Sequence, residues 1–171
     1  MSGHSKWSQI KHKKALTDKK RGQIFSKLSR LITLAARKGK GLDPKTNPAL
    51  AQAIEKARSV NMPGENIERA IKKVSDKDQA QLEEIVIEAL GPGGVALEIR
   101  AITDNRNRTV ADIKKILGEH GTKMVQPGSL SWMFHQPAPV PDPSAQERLD
   151  ALLDALDDQD EVQDVSSNLP V

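Results

Sequence analysis

The chain has 171 residues, enough for one ordinary domain or two small ones, and its formal net charge of +3 conceals a strong polarity. Residues 1–74 carry 18 Lys/Arg against 5 Asp/Glu, a net of +13, while residues 75–171 carry 8 against 18, a net of −10. Cysteine is absent, which excludes disulfides, thiolate metal sites and cysteine nucleophiles and suits a reducing cytosol; no apolar run marks a secretory signal or a membrane span.

The polar start is Lys-rich, unlike an Arg-rich amphipathic presequence, so a cytoplasmic protein with no membrane partner is expected. After this basic lead, Ile24, Leu28, Leu31, Ile32 and Ala35 recur at helical spacing, with Thr17 as N-cap and Gly39 and Gly41 as the stop. On that helix Lys19, Arg30 and Arg37 fall opposite the apolar stripe, and Lys27 and Lys38 on its flank. Asn47 followed by Pro48 opens a second helix carrying Leu50, Ile54 and Ala57, which should stop near Asn61 because Pro63 follows. Pro63 then opens a third helix with Ile67, Ala70, Ile71 and Val74 inward. Three short amphipathic helices are stable only when packed together, so a three-helix bundle is expected, followed by a polar linker at 75–81.

The period then changes. Glu84 to Leu90, a turn at Gly91-Pro92-Gly93-Gly94, and the alternation of Val95, Leu97, Ile99 and Ala101 predict a hairpin. Thr109 with Asp112 resembles a capping box opening a helix of Val110, Ile113 and Leu117 that ends at Gly121. A strand is expected over Ser129 to Phe134, with Leu130, Trp132 and Phe134 on one side. A Pro-rich link at 137–143 leads to a helix of Leu149, Leu152, Leu153 and Leu156 and a last strand around Val162 to Val165. The fold class is therefore α+β: a basic helical domain over 1–75 with a flexible lead, then 82–171 as a small sandwich with a mainly antiparallel sheet of ferredoxin-like type.

Two groups of residues could carry chemistry. The first is the cationic run Lys6, Lys11, His12, Lys13, Lys14, Lys19, Lys20 and Arg21, continued on the helix by Lys27, Arg30, Arg37 and Lys38, which could contact phosphates without reading sequence; a solvated tail is the plainer reading. Trp7 could stack on a base or simply pack. The second is Asn105, Arg106, Asn107 and Arg108 after Asp104, two cations and two amides where a helix begins, read either as an anion site or as an ordinary capped turn. Catalysis has little support. The four histidines show no metal-ligand spacing, and there is no phosphate loop, dinucleotide fingerprint or nucleophile elbow, so no enzyme, cofactor or metal is expected. Nine carboxylates between Asp142 and Asp164 read as a solvated acidic face or as a dock for a basic neighbour.

Several segments together resemble the YebC family: Gly3-His4-Ser5-Lys6-Trp7, Ile10 to Lys13, Arg21-Gly22, Asn61-Met62-Pro63, Asn66 to Ile71, Gly91 to Val95, Thr103 to Thr109, Gly128-Ser129 with Trp132-Met133-Phe134, and Val162 to Val165 with Asn168. The resemblance implies a helical domain followed by two α+β domains, the third inserted into the second. Here the chain runs from Phe134 through the Pro-rich link to the closing helix and strand, so the third domain is expected to be missing. Ala89-Leu90 also stands where the family usually has Gly-Tyr. For function the resemblance implies a DNA-binding transcriptional regulator or, alternatively, a ribosome-associated translation factor contacting ribosomal or transfer RNA and assisting synthesis of proline-rich stretches. A protein-binding adaptor using the acidic half is the reading from another class. No base-reading helix stands out, and oligomeric state is open.

Overall fold

The computed structural model describes residues 4–5 (backbone only), 17–39, 41–76 and 82–170. The chain forms two compact units: one is Lys14–Glu83, and the other joins Glu84–Val171 to the opening strand.

In the first unit, α1 (Asp18–Lys38) starts at Thr17, whose side chain accepts from the Lys20 N–H. Next come α2 (Pro48–Ser59) and α3 (Gly64–Lys72), then a 3-10 turn at Lys73–Ser75. Pro63 lies just outside α3 with extended ψ instead of forming its first turn, and Val74 falls in the 3-10 turn. Leu28, Ile32, Leu50, Ala57 and Ala70 make the buried centre. One side chain links two helix ends: Asn47 Oδ1 accepts from Leu50 N at 3.1 Å, capping α2, while Nδ2 donates to Ala35 O at 3.0 Å and Gly41 O at 3.2 Å at the end of α1. Gly39 permits this approach, since a Cβ there would fall 1.8 Å from Asn47 Nδ2. The Thr33 hydroxyl ties α1 to α3 through Ala70 O at 2.8 Å.

The second unit holds a five-stranded sheet of β1 (His4–Ser5), β2 (Glu83–Leu90), β3 (Ala96–Thr103), β4 (Lys123–Val125) and β5 (Val162–Ser167), in the order β1-β5-β3-β2-β4. β1 pairs with β5, β5 with β3 and β4 with β2, all antiparallel. β1 comes from the stretch that the sequence assigns to the helical half; it satisfies backbone groups on the outer edge of β5. Two helices, α4 (Arg106–Glu119) and α5 (Pro143–Asp157), cover one face, where Ile113, Leu117, Leu149, Leu152 and Leu156 meet Ile85, Ile87, Leu97, Ile99 and Val165. The architecture is α+β. The β2–β3 turn needs its glycines, with Gly93 and Gly94 at φ +74° and +75°.

Two expectations are corrected. Residues 129–134 do not form a strand: Ser131–His135 is a 3-10 turn, and the edge strand is Lys123–Val125. The alternation of Leu130, Trp132 and Phe134 misleads because only Leu130 and Phe134 are buried, together with Ala96, while Trp132 is 61% exposed. Ser129 and Ser131 hydroxyls donate back to Gln126 O at 2.6 Å and Gly128 O at 2.9 Å, favouring the turn over a ladder. Likewise Thr109 does not open α4. Asn105 caps it by accepting from Arg108 N at 3.1 Å, and Thr109 is buried inside the first turns with its hydroxyl 2.7 Å from that of Thr103.

Candidate nucleic-acid interface

Lys6, Trp7, Lys11, His12, Lys13 and Lys14 lie outside the described residues. Of the cations predicted on α1, Lys19, Arg21 and Lys38 are exposed, and Lys20, Arg30 and Arg37 are half-buried. Lys27 is only 9% exposed, so the helix does not offer it to a partner as the spacing suggests. The cause is packing: α2 and α3 both pack on α1, and five consecutive residues from Ile32 to Ala36 are buried. A helix covered from two directions has a wider buried sector than a single apolar stripe announces. Arg21 forms an exposed pair with Asp18 at 3.4 Å, a contact worth little and readily exchanged for a phosphate. Arg37 Nη1 is buried and, among the described residues, has no hydrogen-bond partner.

Exposed cations of this unit extend beyond α1, to Lys45, Arg58, Arg69, Lys72 and Lys73. They lie beyond the lead and the first helix, and their only mark in the sequence is the charge excess of residues 1–74. Basic residues close all three helices, Arg37 and Lys38, Lys56 and Arg58, Arg69 and Lys72, where they also complement the helix dipoles.

The second predicted cluster is divided between building and display. Asn105 is spent on the helix cap, and its own N–H donates to the Thr103 hydroxyl at 2.9 Å. Arg108 Nη2 donates to Asp104 Oδ1 at 2.9 Å and to Glu161 Oε1 at 3.0 Å, so two carboxylates hold it. The Asp104 hydrogen bond, followed by the charges of Asp104 and Glu161, pushes the Arg108 guanidinium above its ordinary value. A partner's phosphate would have to displace one of them. Arg106 and Asn107 are exposed on the first turn of α4. Among the described residues no group of three His, Asp or Glu side chains could hold a metal ion, and no helix is long and apolar enough to cross a membrane.

Residues 5–77 match the model of the TACO1/YebC protein N-terminal domain, and residues 82–140 that of the TACO1/YebC second and third domain. A "Probable transcriptional regulatory protein" of Halothermothrix orenii is 53% identical over 135 residues, which are 78% of this chain and 53% of that protein. One of the same description from Pseudothermotoga lettingae is 44% identical over 171 residues, 94% of this chain and 67% of its own length. The chain thus spans about half to two thirds of the length of these relatives. Among solved structures, a conserved hypothetical protein from Aquifex aeolicus is similar at a TM-score of 0.81 and 32% identity, over 96% of both chains.

Proposed function

The chain belongs to the TACO1/YebC family, and on that premise we propose that it is a nucleic-acid-binding gene-expression factor of the DNA-binding transcriptional-regulator kind, acting by binding and not by catalysis. The observation that carries this reading is the helical unit, whose exposed Lys19, Arg21, Lys38, Lys45, Arg58, Arg69, Lys72 and Lys73 lie within a half of net charge +13. The name shared by the relatives supports the same reading. Cations spread over three helices contact phosphate and fix orientation, while base-specific contacts would need amide or guanidinium groups aimed into a groove. The basic lead, Lys6 to Lys14, precedes α1 in the sequence and supplies part of the excess positive charge of residues 1–74, and Arg106 and Asn107 form a secondary contact. The acidic half, net −10, repels the same polyanion and biases which side approaches it.

The test is duplex-DNA affinity as a function of salt, with purified ribosomes as competitor at matched phosphate. Each phosphate contact contributes about 0.9 to the log–log slope, so replacing Lys19, Arg21 and Lys38 together by Ala should flatten it by about 2 to 3. An unchanged slope removes α1 from the interface. Ribosomes displacing the protein from DNA at far lower phosphate equivalents would instead make it a translation factor.

A further inference from the structure

We infer that the Pro-rich link of the second unit is a polyproline ligand, read by a partner protein through an aromatic-lined groove with a cationic rim. From Gln136 to Pro143 the sequence alternates, so every residue is a proline or stands directly before one. Proline holds its own φ near about −65°, and the residue before it is pushed out of the helical region toward extended ψ. Together these restrictions select the polyproline II conformation. The ends agree: Gln136 has φ −129° and ψ 132°, Asp142 has φ −64° and ψ 163°, and no helix or strand forms between them.

A polyproline II helix has about three residues per turn, hence three edges. Burial follows that period. Ala138 belongs to the core and Pro141, three residues on, is half-buried, while Pro137, Pro139, Val140 and Asp142 are exposed. One edge is thus seated on the unit and the other two meet solvent. The seat is fixed: Ala138 N donates to Asn168 O at 2.7 Å, Asn168 Nδ2 donates to Gln136 O at 3.3 Å, and a Cβ on Gly93 would come within 3.1 Å of Pro141 Cβ. Asp142 then caps α5 by accepting from Ala145 N at 2.9 Å. Pro137 and Pro139 put no ring into the core; they supply stiffness and exposed ring surface. Val140, 79% exposed, is the most exposed large apolar side chain among the described residues.

Two open edges of a pre-set polyproline helix are what an aromatic groove grips. Pro rings and a Val pack on Trp and Tyr faces, Trp and Tyr donors reach carbonyls that this conformation does not bond internally, and little conformational entropy is lost. The charge beside the strip selects the rim. Asp142, Glu147 and Asp150 are exposed at its end and on the first half of α5, against Arg148, within a half of net charge −10. A groove edged by Lys or Arg is favoured there, and an acidic one is repelled. This contact belongs to the second unit and stands whether or not the helical unit binds nucleic acid.

The probe is an isolated WW domain, whose Tyr and Trp form such a groove, carrying Lys at the rim and titrated into the labelled full chain with amide chemical shifts as the readout. The amides of Ala138, Val140 and Asp142 should shift with a Kd of about 0.1 to 1 mM. Replacing the probe's groove Trp by Ala should abolish binding, and Glu in place of its rim Lys should weaken binding roughly tenfold. In the chain itself Val140→Ser should weaken binding roughly tenfold, and because the position is exposed the rest of its spectrum should match wild type. No shift of these amides at about 1 mM, shifts that survive loss of the groove Trp, or equal affinity of the Lys and Glu rims would overturn the inference.

Discussion

Replacing Asn47 by Ala removes three hydrogen bonds made by one buried side chain: the cap on Leu50 N and the two donations to Ala35 and Gly41. Loss of an N-cap costs about 1 kcal/mol. The two donations add about 0.5 to 1 kcal/mol each, at the low end for Ala35 because its carbonyl also accepts from Gly39 N at 3.1 Å. The total of about 2 to 3 kcal/mol corresponds to a roughly 30- to 150-fold loss of hydrogen-exchange protection across the α1–α2 junction. Native-state exchange with mass spectrometry measures this locally, without assuming that the two units unfold together. Asn47→Asp sharpens the test. Asp caps a helix as well as Asn, but here its second oxygen would face the Ala35 and Gly41 carbonyls, so the Asp variant should lose at least as much protection as the Ala variant. Wild-type protection in Asn47→Asp would refute the bridging role and reduce Asn47 to a cap.

Glu161→Gln removes one of the two carboxylates holding Arg108 and should raise duplex affinity a few-fold at low salt, an effect fading toward high salt; unchanged affinity would place the first turn of α4 away from nucleic acid. Asn168→Ala takes away the acceptor of Ala96 N at 2.9 Å and the donor to Met133 O and Gln136 O, and should cost about 2 to 3 kcal/mol and open the link after Gln136 to proteolysis. A cleavage rate equal to wild type would show that other contacts hold this segment. Glu88→Ala should destabilise the second unit by about 1 to 3 kcal/mol by orphaning the buried Leu130 N–H, with Glu88→Gln milder, as read by denaturant midpoint.

Much of the architecture was legible because it rests on short-range chemistry. Thr17 and Gly39 bound α1, Asn47-Pro48 begins α2, and the glycines between β2 and β3 mark a turn whose φ angles few other residues adopt. The charge polarity needed no structure at all. Other features are set by partners distant in sequence and leave no local mark. Lys27 looks displayed by periodicity but is buried because two helices cover α1. Arg108 looks available in the run Asp104 to Arg108 until Glu161, 53 residues away, closes on it. Residues 129–134 alternate like a strand, yet Glu88, 42 residues earlier, accepts the Leu130 N–H and Asn168 draws in the Met133 and Gln136 carbonyls, so the segment folds as a turn on the sheet. Composition and periodicity determine which elements form and where charge accumulates; which cations face solvent, and which side chains are held by distant partners, is decided by long-range packing and hydrogen bonding.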